Sequence, residues 1–161
     1  MAINLEIKPE EILSLCRTRR EAMDLIEALD EVLVTSYKVN VNLHEHMRSV
    51  FPYTTYDTMI LLIRDHEIDI KDAHVLYKFL HGIKDIVTHL PTVAITLAFT
   101  PTPRFLDRIS GWLFENFKEP ILLDLIVDQE LAGGAVVAFK GIYKDYSLRK
   151  KMEDLFSKTK E

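Results

Sequence analysis

Little in this chain can do covalent chemistry. Of its 161 residues, one is cysteine, Cys16, so no internal disulfide can form. A lone cysteine suits a reducing compartment, and no His or Asp stands at a spacing that would make it a nucleophile, so a small buried apolar role is expected. Glycine is scarce, and the adjacent pair Gly133-Gly134 opens into Ala-Val-Val-Ala-Phe, a strand pattern. A phosphate cradle needs a glycine-rich turn that opens into a helix, followed by Lys and Ser or Thr. Long hydrophobic runs are missing too. Stretches such as Met59 to Ile63 are far too short to cross a bilayer. The opening MAINLEIKPEE has neither the basic nor the apolar stretch of a signal peptide, so no leader is expected. No basic stripe is present, which argues against a nucleic-acid binder. The net charge is −5, all of it in residues 1–90, where 10 Lys and Arg face 15 Asp and Glu.

Histidine is present without the spacing that metals require. His44-Glu45-His46 places its two imidazoles about 200° apart on a helix, whereas the zinc motif needs positions i and i+4. His66, His74, His81 and His89 show no such pairing with one another; solvated or capping roles are expected, and neither a metal nor a cofactor.

With 48% hydrophobic residues, the chain can bury a core. Pro9 starts a short helix running to about Arg17. Thr18-x-x-Glu21 is a capping box opening a helix that should end near Tyr37, with Ala22, Leu25, Ile26, Leu29, Val32 and Leu33 on one stripe. Val39 to Val41 is ambiguous. Asn42 caps a helix from Leu43 to about Val50, ended by Pro52. Thr54 or Thr55 caps the next helix, which is apolar all round at Met59–Ile63, and Asp69 caps a long helix to about Thr88. That long helix carries a second apolar stripe, Val75, Phe79 and Ile86, which is either buried or a candidate groove for a partner.

Leu90-Pro91 marks a boundary, giving a helical domain over 1–90 and a small α/β domain over 91–161. Val93 to Phe99 alternates with period two, as a strand does. Its second face is small (Ala94, Thr96, Ala98) and would suit a closely packed helix. Thr102 and Pro103 start a helix to about Phe117 that should bury Phe105, Ile109, Trp112 and Leu113. Ile121 to Val127 reads as a strand buried on both faces. Gly133-Gly134 gives a turn with positive φ, Ala135–Phe139 a strand, Lys140-Gly141 a two-residue hairpin, and Ile142–Lys144 the return. Asp128 ends a strand and is placed to cap the next turn through Glu130. Asp145 or Ser147 caps a final helix that should bury Leu148, Met152, Leu155 and Phe156. Arg149, Lys150 and Lys151 fall near the start of that helix and Lys158 and Lys160 near its end, a solvated face or a contact for an acidic partner. The fold class is therefore α+β: an N-terminal helical bundle, then β-α-β, a β-hairpin and a C-terminal helix.

Asp128, Gly133, Gly134, Asp145 and Ser147, followed by the leucine-spaced helix of Leu148, Met152 and Leu155, resemble the C-terminal signature of the delta subunit of F-type ATP synthases, called the oligomycin-sensitivity-conferring subunit in mitochondria. The likeness covers about Thr92 to Phe156, and Leu61-Leu62-Ile63-Arg64-Asp65-His66 followed by a long helix adds to it. The resemblance implies a six-helix bundle joined to a small α/β domain, where this chain supplies four clear helices and a short fifth. It implies a non-catalytic stator component that clamps the catalytic head to the peripheral stalk. The expected partners are N-terminal helices of the alpha subunits and the C-terminal segment of stalk subunit b. Its place would be the cytoplasmic face of a bacterial membrane, reached only through the complex. Two other readings are a stand-alone adaptor with a helix-binding groove, and a small enzyme using the βαβ unit. The segment Thr100-Pro-Thr-Pro after the first strand offers neither a glycine-rich loop nor a nucleophile for the latter.

Overall fold

A computed structural model of the chain describes residues 7–36 and 42–158, with the side chains of residues 9 and 154–158 outside that description. The chain is mixed α+β and forms two compact units. The first takes in the chain up to Cys16 and Arg20–Leu90, and the second takes in Arg17–Arg19 and everything from Pro91.

The first unit holds α1 (Pro9–Leu15), α2 (Arg19–Thr35, apart from its first residue), α3 (Leu43–Val50), α4 (Tyr53–Asp65) and α5 (Ala73–Thr88). α3 and α5 start where a capping side chain meets an amphipathic stripe. The Asn42 side chain accepts from the Glu45 N–H at the head of α3. The α5 start differs from expectation. Asp72 accepts from both the His74 and Val75 N–H groups, at 3.0 and 3.1 Å, and is the cap. Asp69 instead accepts from the Lys71 N–H in the turn before it. At α4 neither Thr54 nor Thr55 is the cap; the helix starts at Tyr53, directly after Pro52, with no side-chain cap. The core is built from Leu29, Val32, Met47, Met59, Leu76 and Leu80, all sealed from solvent. Polar links join helix pairs at its margin: Glu11 of α1 to His66 at 3.2 Å, His44 of α3 to Tyr56 of α4 at 2.6 Å, and Asp30 of α2 to Lys84 of α5. The expected end of α2 near Tyr37 and the stretch Val39–Val41 lie outside the described residues.

The second unit is a four-stranded mixed sheet in the order β2-β1-β3-β4. β1 (Thr92–Leu97) and β2 (Leu122–Val127) are parallel and joined by α6 (Pro103–Phe117). β3 (Ala135–Phe139) runs antiparallel to β1, and β4 (Ile142–Asp145) antiparallel to β3. α7 (Leu148–Lys158) follows. Thr102 caps α6, accepting from the Phe105 N–H. α6 packs on the large-residue face of β1: Val93, Ile95 and Leu97 meet Leu113, with Phe105, Leu106 and Ile109 against them.

Three burial expectations fail here. Trp112 is 58% exposed, because it projects from α6 past the covered half of the sheet. β2 is buried only at its start; Ile126 and Val127 are about half exposed, as expected of a strand near an edge. Leu148 and Met152 of α7 are also about half exposed, while the side chains of Leu155 and Phe156 lie outside the described residues. The β2 edge is also not bare. Residues 17–19 lie alongside it, with Thr18 bridged in parallel to Leu123, and the Leu123 N–H donates to the Arg17 carbonyl at 2.8 Å. Arg17 pairs with Asp107 and Arg19 with Asp124, which pins the segment at both ends.

Candidate functional site

Gly133, Gly134, Asp145, Ser147 and Leu148 meet at one joint, Asp128 acts in its own turn at the end of β2, and the side chain of Leu155 lies outside the described residues. Asp128 ends β2, donating its N–H to the Leu97 carbonyl and accepting from the Glu130 N–H at 2.9 Å. It thereby starts a single 3-10 turn, Gln129–Leu131, whose Leu131 is buried. The chain then passes Gly133 and Gly134, with φ of 131° and 83°. A Cβ on Gly134 would lie 2.9 Å from Ser147 Cα and closer still to the Tyr146 carbonyl oxygen, so only glycine fits there. The Gly133 carbonyl accepts from the Leu148 N–H at 3.0 Å. On the other side of the contact, Asp145 accepts from the Ser147 N–H at 2.8 Å, and the Ser147 hydroxyl accepts from the Lys150 N–H at 3.3 Å. Ser147 is therefore the cap of α7, and Asp145 closes the turn just before it, as Asp69 does before α5. The bonds to Ser147, foremost that from its side chain, hold the Asp145 carboxyl below its ordinary pKa, with help from Lys150 and Arg149. Asp128 thus caps a 3-10 turn and Asp145 closes the turn before α7, each by accepting from a backbone N–H.

The candidate groove on α5 does not form a continuous exposed stripe. Phe79 is 1% exposed and its ring lies 5.6 Å from that of His66, so it belongs to the core of the first unit. Val75 and Ile86 are half-buried beside it. Cys16 is buried as expected, and burial foremost, with Glu21 adding to it, pushes its thiol up to about 12, well away from nucleophilic duty.

A site that sequence reasoning missed lies on the second unit. An open apolar groove of about 330 Å³ runs between α6 and the β3–β4 hairpin. Trp112, Leu113 and Phe117 make its helix wall, and Val137 and Phe139 its floor. Ile142, Lys144 and Tyr146 of the hairpin edge complete it. The Phe117 and Phe139 rings meet edge-to-face at 5.3 Å and 71°, which fixes the closed end of the wall to the floor. The sequence signal was available in the alternation of Ile142, Lys144 and Tyr146, which puts all three on one face of the strand. The exposure of Trp112 was the part it could not show.

Among the described residues, no three His, Cys, Asp or Glu side chains gather as a metal site would require. Nor is any described helix long and apolar enough to cross a membrane. In comparisons with known proteins, no family model matches the chain and no curated protein matches it.

Proposed function

We propose that the chain is a non-catalytic stator subunit similar to the delta subunit of F-type ATP synthases, with an N-terminal helical bundle and a small α/β domain holding the catalytic head to the peripheral stalk. The observation that supports this reading is the meeting of five signature residues, Gly133, Gly134, Asp145, Ser147 and Leu148. Gly133 and Gly134 contact the Tyr146–Leu148 stretch directly, Ser147 caps the helix that begins there, and Asp145 closes the turn before it. The later part of the signature thus corresponds to one physical joint between β3, β4 and α7.

The proposed mechanism is mechanical. Rotary torque during proton-driven ATP synthesis drags on the head, and a stator cap resists it by binding at two places at once. The helical half would take the N-terminal helix of an alpha subunit, and the α/β half the C-terminal segment of subunit b. Two linked contacts hold about 10²–10⁴ times more tightly than either alone. The protein would sit at the cytoplasmic face of a bacterial membrane as a peripheral part of the complex. One observation favours a second reading: the open groove beside Trp112 would equally serve a stand-alone adaptor. Affinity purification of the tagged chain from its source cells separates the two. Recovery of ATP synthase alpha and b subunits in near-equal amounts supports the stator reading. Their absence, with some other protein recovered, overturns it.

A further inference from the structure

The chain crosses between its two compact units three times, after Cys16, after Arg19 and after Leu90. The last crossing is an ordinary boundary. The first two bracket a strap of three residues, Arg17-Thr18-Arg19, that belongs to the second unit although the helices on either side of it belong to the first. The strap has almost no slack: α1 ends at Leu15, and α2 begins at Arg19 itself. Its hold on the sheet is narrow. A single bridge among the described residues, Thr18↔Leu123, joins it to β2, and the Leu123 N–H donates to the Arg17 carbonyl at 2.8 Å. Thr18 and Leu123 are both buried. Without the strap, the start of β2 would present the unpaired backbone groups of a bare strand edge.

Two ion pairs set the grip. Arg17 pairs with Asp107 of α6, and Arg19 with Asp124 of β2 at 2.9 Å. Each pair has one partner well out in solvent, Asp107 at 59% and Arg19 at 60% exposed, so dissolved salt reaches and screens both. The sheet itself does not lean on the strap. β2 keeps its six-residue parallel register with β1, from Thr92↔Leu122 to Leu97↔Val127, and no bond of that register passes through residues 17–19. We infer that Arg17–Arg19 is an electrostatic latch, which opens and closes the start of the β2 edge while the rest of the sheet stays formed. α1 and α2 hold the released strap within reach, so reclosing is fast and the opening is local. The latch operates in the same way in a stator or in an adaptor.

Two neighbouring amides tell the latch from the sheet. The Leu122 N–H donates inward to the Pro91 carbonyl at 2.9 Å, and the Leu123 N–H outward to the Arg17 carbonyl at 2.8 Å. Hydrogen exchange of the full-length protein, read residue by residue by NMR, is compared in about 0.05 M and about 1 M sodium chloride, which shortens the screening length several-fold. Leu123 exchange quickens by about ten-fold in the higher salt, a ratio that two exposed ion pairs can supply, while Leu122 exchange is unchanged. At low salt Arg17→Glu/Arg19→Glu has the same effect on Leu123. Adding Asp107→Arg/Asp124→Arg, which exchanges the charges of both pairs, restores slow exchange. Leu122 and Leu123 quickening together in salt overturns the latch, because the strap then leaves only when the sheet opens. A Leu123 rate indifferent to salt overturns it as well, because the ion pairs then have no part in the grip. The salt comparison uses the unaltered protein, so it decides even if the charge-reversed variant fails to fold.

Discussion

Replacing Gly134 with alanine tests the joint at the centre of the second unit. The residue has φ of 83°, and a Cβ there meets backbone atoms of Tyr146 and Ser147 within 3 Å. Left-handed backbone costs a non-glycine residue about 1–2 kcal/mol. The collision is with backbone, which cannot swing aside as a side chain can, so a further loss of about 1–2 kcal/mol is expected as the turn shifts. A total near 3 kcal/mol corresponds to a fall in Tm of roughly 6–12 °C for a chain of this size. Urea unfolding followed by Trp112 fluorescence is the suitable assay, since that residue lies in the same unit. Gly111→Ala is the matched control. It sits inside α6 with nothing within 4 Å of the new Cβ, and helix propensity predicts stabilisation of about 0.5–1 kcal/mol. Gly133→Ala should fall between the two, because its close neighbour is the flexible end of the Leu148 side chain. A Gly134→Ala protein as stable as the parent would refute the idea that glycine is required where β3 meets the start of α7.

Other substitutions separate core from surface. Leu113→Ala should cost about 2–5 kcal/mol, whereas Trp112→Ala, at a half-exposed site, should cost clearly less despite removing a larger side chain; denaturation curves followed by circular dichroism compare them. Ser147→Ala removes the acceptor for the Lys150 N–H and should cost about 1 kcal/mol, readable in the same way. For Cys16, a thiol pushed up to about 12 from 9.0 is protonated in the fold. The stability tied to it is complete below about pH 9 and is lost as pH climbs through 12, so native protein at pH 8 should resist a thiol reagent that labels it fully in denaturant. Asp145 has the opposite sign: its lowered pKa gives stability that is present above the ordinary carboxylate range near 3.8 and lost as pH falls through the lower folded value, a slope that Asp145→Ala should remove from the acid limb.

Elements with a local cause were legible in the sequence. Asn42 starts α3, Thr102 and Pro103 start α6, Lys140-Gly141 turns the hairpin, and Asp128 caps through Glu130, each by a hydrogen bond or a φ that neighbouring residues determine. The start of α5 was harder, because Asp69 and Asp72 are both good caps and the choice depends on which one the helix axis reaches. What failed was set by distant parts of the chain. Periodicity placed Trp112 and Leu113 on one stripe, but only the strand beneath each decides which is covered, and α6 does not reach past β3. β2 read as doubly buried because composition does not reveal a strand's place in the sheet order. Phe79 belonged to a stripe with two possible fates, and the helices packed around it decided for the core. The segment Arg17–Arg19 is too short to show any period, and its bridge from Thr18 to Leu123 depends on β2 lying beside it.

Isothermal titration of the full-length protein against the C-terminal segment of subunit b and, separately, the N-terminal peptide of subunit alpha, both from the same source, tests the stator account most directly. The account predicts submicromolar, saturable binding to each, with the two sites independent so that one peptide does not displace the other. Heat-silent titrations with both peptides, from protein that gives a cooperative unfolding transition, would contradict it.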